Sequence, residues 1–185
     1  DIETTGGKTT SNRITEIAIV ITDGKKIIEK FSTLVNPHRK IDKFVIQLTG
    51  ITDEMVETAP DFSEIIDKIT KDTIFVAHNV PFDYSIIKRE YKKLNQVFRR
   101  NNLCTVQLSR KTLKDQASFS LGKLTESLGI KLENRHRALG DAEATAHLLH
   151  YIINKVGEEN VLNQTAHKTS DIQFKGEITN DIIEE

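Results

Sequence analysis

Four carboxylates and one histidine are the side chains in this sequence with the clearest potential for chemistry: Asp1, Glu3, Asp83, Asp141 and His136. Acids gathered without a countercharge repel one another, and divalent cations relieve that repulsion. Oxygen-only ligands suit Mg²⁺ or Mn²⁺ rather than zinc. Two such ions about 4 Å apart can stabilise both the attacking and the leaving oxygen in phosphodiester cleavage. The set therefore indicates two-metal phosphodiester hydrolysis. His136 is a suitable base for the attacking water, because an unperturbed histidine has a pKa of about 6.5.

The first two acids are spaced for a strand. Asp1 and Glu3 are two residues apart, so a strand would point both carboxylates to the same face. The segment Thr4-Thr5-Gly6-Gly7 follows, and its glycines would let the backbone approach a ligand closely. An isolated Asp-x-Glu pair is more often two solvated acids, so the interpretation depends on the other residues of the set.

The other two acids are placed for helix starts. Asp83 follows a buried strand and would lie in the first turn of a helix, with Asn79 as N-cap and Pro81 in that turn. His136 and Asp141 would be about 140° apart on one helix, so they can converge only if His136 lies in the loop before it. Taken alone, Asp83 could serve only the helix dipole, and His136 could be a solvated loop residue.

The elements that must position these residues alternate between strands and helices. Residues 16–22 read as an apolar strand, Asp23-Gly24 as a hairpin turn, and residues 26–35 as the partner strand. Short helical pieces broken at Gly50 are expected over 41–59. The remaining predictions are a helix over 61–69, a strand over 73–77, a helix over 82–94, a short strand or helix start over 104–108, and helices over 121–128 and 141–156. This order predicts a mixed sheet flanked by helices.

The composition is that of one soluble domain. Of the 185 residues, 37% are hydrophobic and 29% charged, and no apolar run approaches the roughly 20 residues that span a bilayer. The lone Cys104 cannot form an internal disulfide, which fits a reducing cytoplasm. Nine Lys or Arg against one acid in residues 88–114 predict a surface that attracts phosphates. Residues 157–185 carry seven acids against two lysines.

Taken in order, the motifs resemble the DEDDh branch of the DnaQ-like 3′→5′ exonucleases, which includes proofreading domains of bacterial DNA polymerase III. The resemblance rests on D-I-E-T-T-G, L-T-G-I-T-D-E-M-V, H-N-V-P-F-D and H-x-A-L-x-D-A, and runs from Asp1 to about Val156. It implies an α/β fold of the ribonuclease H-like type, a mixed five-stranded sheet flanked by helices. The exonuclease domain would cover residues 1–156, and residues 157–185 would be a polar acidic extension or linker.

The resemblance also implies residue roles. Asp1 would bridge two Mg²⁺ or Mn²⁺ ions, Glu3 and Asp141 would complete the tighter site, Asp83 would hold the second ion largely through water, and His136 would deprotonate the attacking water. The substrate contacts implied are the backbone of Thr5 and Gly6, and the side chains of Ile51 and Phe82 against the last bases. Family members often carry histidine before the Gly-Ile of the second motif, where this chain has Thr49.

The expected substrate is a single-stranded or frayed 3′ end of DNA, from which 5′-mononucleotides are released. An exoribonuclease of the same fold and a non-catalytic nucleic-acid-binding module remain alternatives, because recognition of the 2′-OH depends on pocket detail. A DNA polymerase subunit or a covalently linked second nuclease domain is an expected partner, in a bacterial-type cytoplasm and without a membrane. Family members have apolar residues before the first aspartate, so a mostly apolar strand of roughly five to six residues is expected upstream of Asp1.

Overall fold

The computed structural model describes residues 1–6, 11–69 and 72–165. Three strands form an antiparallel sheet in the order β1 (Ile2–Thr4), β2 (Ile14–Thr22) and β3 (Ile27–Leu34). A tight turn joins β2 to β3, where the Asp23 carboxylate accepts hydrogen bonds from two following amides at 2.9 and 2.8 Å. Gly24 adopts a φ of +84° there, which glycine tolerates without strain. The predicted hairpin is therefore present.

Two further strands, β4 (Phe75–Ala77) and β5 (Asn102–Cys104), pair in parallel. The described residues thus hold five strands of mixed direction, as predicted, but in two hydrogen-bonded groups. Among the described residues, β1 is three residues long and pairs with β2, and no strand of one group pairs with a strand of the other. An apolar cavity of about 160 Å³, lined in part by Ile19, Val76 and Leu149, lies between β2, β4 and the last long helix.

Short helices fill the connection after β3. Helices α1 (Lys43–Thr49) and α2 (Asp53–Glu57) are separated at Gly50, which takes a φ of +73° as the residue that ends α1. The expected helix over 61–69 is shorter than predicted, because α3 (Phe62–Ile65) tightens into a 3₁₀ turn over Ile66–Lys68. The amphipathic pattern there still buries Phe62, Ile65 and Ile69.

Four further helices follow in the sequence: α4 (Val80–Lys93), α5 (Thr105–Thr112), α6 (Leu121–Ser127) and α7 (Ala138–Val156). Of the two alternatives predicted for residues 104–108, the helix start is observed from Thr105, because β5 ends at Cys104 and α5 begins at the next residue. Helix α7 begins three residues before the predicted start at Asp141. Within the described residues, no helix combines the length and the apolar character needed to cross a bilayer.

A short helix, α8 (Glu158–Leu162), follows α7. Its Val161 is buried in a hydrophobic cluster that also contains Leu108, Leu148 and Ile152. The first part of the segment predicted as a polar acidic extension or linker thus packs on the rest of the protein through Val161. The sequence also predicts a short helix over 178–183, and these residues lie outside the described ones.

Helix α7 lies close against β2. Ala18 of β2 and Ala138 and Ala142 of α7 form a buried cluster of small side chains. Side chains of this size let a helix backbone approach a strand closely. The packing brings the start of α7 beside the end of β1, where the site is built.

Candidate metal centre

Strand β1 carries the first two acids. Ile2 is buried on one face of the strand, and Asp1 and Glu3 are half-buried on the other. The Asp1 carbonyl accepts from the Ala18 amide at 2.9 Å, and the Asp1 α-amino group donates to the Ala18 carbonyl at 3.0 Å. Glu3 is paired across the ladder with Glu16. Both acids are therefore held by main-chain bonds to β2, as their spacing predicts.

Asp141 completes a group of three acids. One carboxylate oxygen from each of Asp1, Glu3 and Asp141 lies within 4.8 Å of the others, and all three residues are half-buried. The Asp141 Oδ1 atom is buried and has no hydrogen-bond partner among the described residues. An oxygen-only set with an unpaired buried acceptor suits a hard divalent cation. We call these three residues the carboxylate trio.

Burial and like charges raise the pKa values of two acids of the trio. Burial, helped by the neighbouring charges of Asp141, Glu16 and Asp83, raises the pKa of Glu3 to about 8. Burial also raises the pKa of Asp141, against an opposing hydrogen bond from the His136 amide. Like charges and burial both disfavour the ionised form, and a bound cation would reverse that preference. The trio is thus compatible with a divalent metal ion.

Asp83 lies in the first turn of α4, as predicted, but outside the trio. Its side chain is almost fully buried, and burial raises its pKa against the attraction of the Asp1 α-ammonium group. Pro81 occupies the first helical turn as expected. Asn79 does not act as the predicted side-chain cap, because it adopts a φ of +99° and its side chain makes no capping bond.

His78 fixes the start of α4 instead. Its Nδ1 is 2.9 Å from the Thr105 hydroxyl, and its Nε2 is 2.9 Å from the Phe119 carbonyl oxygen. Burial lowers the pKa of His78, which favours the neutral ring. The neutral ring donates from one nitrogen and accepts at the other. With Nε2 donating to the carbonyl and Nδ1 accepting from the hydroxyl, both bonds are satisfied.

His136 lies in a turn before α7, as the spacing to Asp141 requires. Its φ is +64°, and its amide donates to the Asp141 Oδ2 atom at 3.3 Å. The Arg137 amide donates to the Asn134 carbonyl at 3.0 Å, which closes the turn. The turn packs so tightly on the helix that a β-carbon at residue 140 would collide with the Glu133 carbonyl oxygen, so Gly140 is required. The imidazole is half-buried at the edge of the site.

The sequence did not reveal the contact between Glu16 and Arg137, which organises this region. Glu16 on β2 accepts from the Arg137 side chain, with Nη2 to Oε1 at 2.6 Å, and from the Ala138 amide at 2.8 Å. The signal was available: Glu16 is an acid inside an otherwise apolar strand, and a buried acid needs partners. What the sequence did not show was where those partners lie.

The backbone of Thr5 is already engaged within the protein. Its amide donates to the Arg13 carbonyl, and its carbonyl accepts from the Asp42 amide, both at 2.9 Å. The Thr5 amide is thus already used within the protein, whereas its carbonyl oxygen keeps a second lone pair, so the nucleotide contact expected of Thr5 stays a prediction. Gly6 is packed against the side chains of Asp42 and Asn12, and a β-carbon there would collide with the Asp42 carboxylate.

Of the two side chains expected to pack against bases, only Phe82 is accessible. Ile51 has no exposed surface, because it is enclosed by Ile41, Val45 and Val56. The expectation for Ile51 is therefore wrong in this structure, whereas Phe82 is half-exposed at the start of α4. Thr49, which stands where relatives often carry histidine, donates to the Val45 carbonyl and accepts from the Ile51 amide.

The basic segment contains both accessible and inaccessible side chains. Arg99 is exposed. Arg100 is buried, with its guanidinium 5.0 Å from the centre of the Phe98 ring and its Nη1 donating to the Arg99 carbonyl. The phosphate-attracting surface predicted for residues 88–114 can therefore include Arg99 but not Arg100.

Comparison with known proteins gives concordant matches. Residues 1–149 match the family model for exonucleases, RNase_T. Over 161 residues the chain is 40% identical to the DNA polymerase III PolC-type of Caldanaerobacter subterraneus subsp. tengcongensis, a match that covers 85% of this chain and 12% of that protein. The chain thus spans about 12% of the length of the curated relatives it matches.

Solved structures match over most of the chain. Exonuclease X in complex with 5′ overhanging duplex DNA is 30% identical with a TM-score of 0.73, covering 90% of this chain and 97% of that one. The nuclease domain of 3′hExo, a DEDDh family member bound to rAMP, has a TM-score of 0.74 at 17% identity and covers 91% and 94%. The α/β, ribonuclease H-like fold predicted from the sequence is confirmed.

Proposed function

The chain belongs to the exonuclease family, and on that premise we propose that it hydrolyses phosphodiester bonds at the 3′ end of DNA and releases 5′-mononucleotides. The observation that carries the proposal is the carboxylate trio, with one oxygen of Asp1, Glu3 and Asp141 within 4.8 Å of the others. The choice of DNA is supported by the identity to PolC-type polymerases and by the likeness to Exonuclease X in complex with DNA.

Two divalent cations, Mg²⁺ or Mn²⁺, would be held by the four acids. Asp1, Glu3 and Asp141 would form the tighter site, and Asp83, which lies outside the trio, would hold the second ion with Asp1, largely through water. Bound cations supply stabilisation of the charge on the attacking and leaving oxygens, and lower the pKa of the attacking water. The unpaired Asp141 Oδ1 supports this assignment, because a buried acceptor without a partner is costly unless a ligand meets it.

His136 would remove the proton from the attacking water. Its half-buried ring stands next to the trio, and the bond between its amide and Asp141 ties the turn to the metal ligand. A base in this position is reached from solvent, so the proton can leave the site after each cycle. The ring needs no role as a metal ligand, since the carboxylates supply the oxygens.

Phe82 and Gly6 are the substrate contacts that we retain from the sequence. Phe82 is half-exposed one residue before Asp83, where a terminal base could stack on its ring. Gly6 directly follows Thr5 after β1, and the contact that we retain for it is made by its main chain, because the Asp42 and Asn12 side chains occupy the space beside its α-carbon. The accessible Arg99 would attract phosphates at a distance.

We further propose that the exonuclease domain covers residues 1–156, with α8 packed on its end, and that it serves a DNA polymerase as its proofreading activity. The support is the 40% identity over 161 residues to a segment of a PolC-type polymerase. This similarity favours a polymerase over a linked second nuclease domain as the partner.

The test is degradation of 5′-labelled single-stranded DNA, matched RNA, and DNA whose 3′ terminus carries a phosphate. With Mg²⁺ or Mn²⁺ we expect a ladder of products shortened from the 3′ end of DNA, little product from the blocked strand, and none in EDTA. The Asp141→Asn variant is the matched control for contaminating nuclease. Faster degradation of RNA than of DNA would favour the exoribonuclease alternative, and binding without cleavage in every condition would favour a non-catalytic module.

A further inference from the structure

Glu16 is a buried acid that the proposed chemistry does not use. It lies on β2 opposite Glu3 in the β1–β2 ladder, and its side chain is 5% exposed. A charged group is buried at high cost unless other groups satisfy it. The partners of Glu16 therefore indicate what the residue is for.

Among the described residues, the hydrogen-bond donors to the Glu16 carboxylate belong to the start of α7. The Arg137 Nε lies 3.2 and 3.1 Å from the two carboxylate oxygens, its Nη2 lies 2.6 Å from Oε1, and the Ala138 amide donates to Oε2 at 2.8 Å. Arg137 occupies the N-cap position of α7, but its own side chain does not cap the helix. The acceptor that satisfies the first helical amide comes from a strand instead, 122 residues earlier in the sequence.

This connection joins the two halves of the carboxylate trio. Glu3 is fixed to Glu16 by the pairing of β1 with β2. Asp141 lies in the first turn of α7, and His136 immediately precedes Arg137. The cluster of Ala18, Ala138 and Ala142 allows close approach but interlocks little, so the directional bonds to Glu16 set where the helix begins.

We infer that Glu16 is a positioning residue, which acts through Arg137 and the Ala138 amide to set the distance between Asp141 and Glu3 and the direction of His136. This positioning role rests on the proposed function, because the reaction that it supports is the proposed hydrolysis. The hydrogen bonds from Arg137 and Ala138 to Glu16 are observed in the protein without a metal or a substrate.

The charges of the pair make the inference testable. Removing one partner of a buried ion pair leaves an uncompensated charge, whereas replacing both by neutral groups of similar shape is often tolerated. Arg137→Gln would leave the Glu16 carboxylate without its cation and directly opposite Glu3. Glu16→Gln combined with Arg137→Gln would remove both charges and keep an oxygen for the Ala138 amide.

The experiment compares the wild type with Arg137→Gln, Glu16→Gln and the double variant. Mn²⁺ affinity is measured by calorimetry without substrate, amide exchange over residues 138–142 by mass spectrometry in EDTA, and kcat and KM on single-stranded DNA. Arg137→Gln should lower both Mn²⁺ affinity and kcat by about 10–100-fold, the usual effect of losing a residue that orients a metal ligand, with KM little changed. The double variant should recover most of both losses and the slow amide exchange.

Arg135→Gln is the charge-matched control. Arg135 lies in the same turn, is exposed, and rests against Gly122 rather than Glu16. Equal losses in Arg135→Gln and Arg137→Gln would mean that net charge matters, not position, and would overturn the inference. So would a lower melting temperature in Arg137→Gln with unchanged Mn²⁺ affinity and amide exchange.

The two proposals fail in different ways. If the wild type degraded no nucleic acid, while Arg137→Gln lost Mn²⁺ affinity and the double variant regained it, the proposed function would be rejected and the positioning role kept. If the wild type were active and the double variant no better than Arg137→Gln, the positioning role would be rejected and the function kept.

Discussion

Asp83 and Asp141 occupy the same place in their helices and differ in almost everything else. Each lies in the first turn of a long helix, α4 or α7, where the helix dipole favours an acid. Asp83 is nearly fully buried and lies outside the carboxylate trio. Asp141 is half-buried, shares the carboxylate trio, and keeps one oxygen unpaired among the described residues.

The two helices also begin differently. Helix α4 follows Asn79, whose φ is +99°, and is tied down by the ring of His78. Helix α7 is held by Glu16, a residue from a distant strand. Local sequence is thus enough to place both acids in a first helical turn. Contacts with distant residues decide which of the two acids joins the carboxylate trio. We therefore expect one tighter and one looser metal site.

The largest loss of activity should come from removing the charge of either Asp83 or Asp141. If the two variants bound metal alike, the contrast between the two acids would not hold. Asp141→Asn and Asp83→Asn should each lower kcat by roughly 10⁴-fold, since several kcal/mol of charge stabilisation are lost. Calorimetry with Mn²⁺ should show loss of the tighter site only in Asp141→Asn. Tight binding retained in Asp141→Asn and lost in Asp83→Asn would reverse our assignment of the two sites.

Removing the neighbour of Asp141 should have the next largest effect. His136→Ala should lower kcat by about 10²–10⁴-fold, the usual contribution of a general base, with Mn²⁺ affinity almost unchanged. The loss should shrink at high pH, where hydroxide replaces the missing base. His78→Ala is the control histidine, because its bonds hold α4 and its loss should lower the melting temperature instead. Abolished metal binding in His136→Ala would make His136 a ligand.

The trio should also give the metal-free protein a pH dependence. Glu3 has a pKa of about 8 in the folded state against 4.5 as its ordinary value, so the folded protein holds the proton more tightly. The stability that this contributes is fully present below about pH 4.5 and is lost as the pH rises through about 8. In EDTA the melting temperature should therefore fall between pH 5 and pH 8.5 relative to Glu3→Gln, measured side by side.

Cations should weaken that dependence, because they stabilise the ionised carboxylate. The difference between wild type and Glu3→Gln should shrink or change sign at pH 8.5 when Mg²⁺ is added. Parallel melting curves for the two proteins at every pH, with and without Mg²⁺, would show that Glu3 is solvated and ordinary.

The smallest expected effect is on the salt dependence of DNA binding, and it should differ between two adjacent arginines. Arg99→Ala should reduce the slope of log affinity against log salt by about one for single-stranded DNA, if Arg99 meets one phosphate. Arg100→Ala should leave the slope unchanged and lower the melting temperature, because its guanidinium lies over Phe98. An unchanged slope in Arg99→Ala would return Arg99 to the class of ordinary surface charges.

Local signals predicted much of the fold. Examples are the hairpin at Asp23-Gly24, the break at Gly50 and the end of α6 near Gly129. In each, a glycine takes a positive φ, so the turn can be predicted from the residue itself. The predicted start of α7, at residue 141, is three residues later than the observed start at Ala138, so Gly140 lies within the helix. It lies inside the helix because Glu16 holds the Ala138 amide, and a bond across the whole sequence leaves no local trace.

The sequence predicts where the acids and the histidine of the site lie. It does not predict which of the surrounding residues are buried. The strand spacing of Asp1 and Glu3, and the loop position of His136, follow from geometry. The burial of Ile51 and of Arg100 does not, because it depends on which side chains of other elements cover them. An apolar or basic residue in a functional motif can serve either the fold or the ligand, and only its neighbours decide.

The long span between Glu16 and Arg137 also bears on how the protein is made. The two residues are 121 positions apart, and Asp141 lies beyond both. During synthesis the strands β1 to β3 leave the ribosome and can pair long before α7 exists. A growing chain at that stage carries Asp1 and Glu3 on a paired sheet but has no third carboxylate beside them. An unfinished chain should therefore be unable to cut nucleic acid, and the activity should begin only when α7 docks on β2.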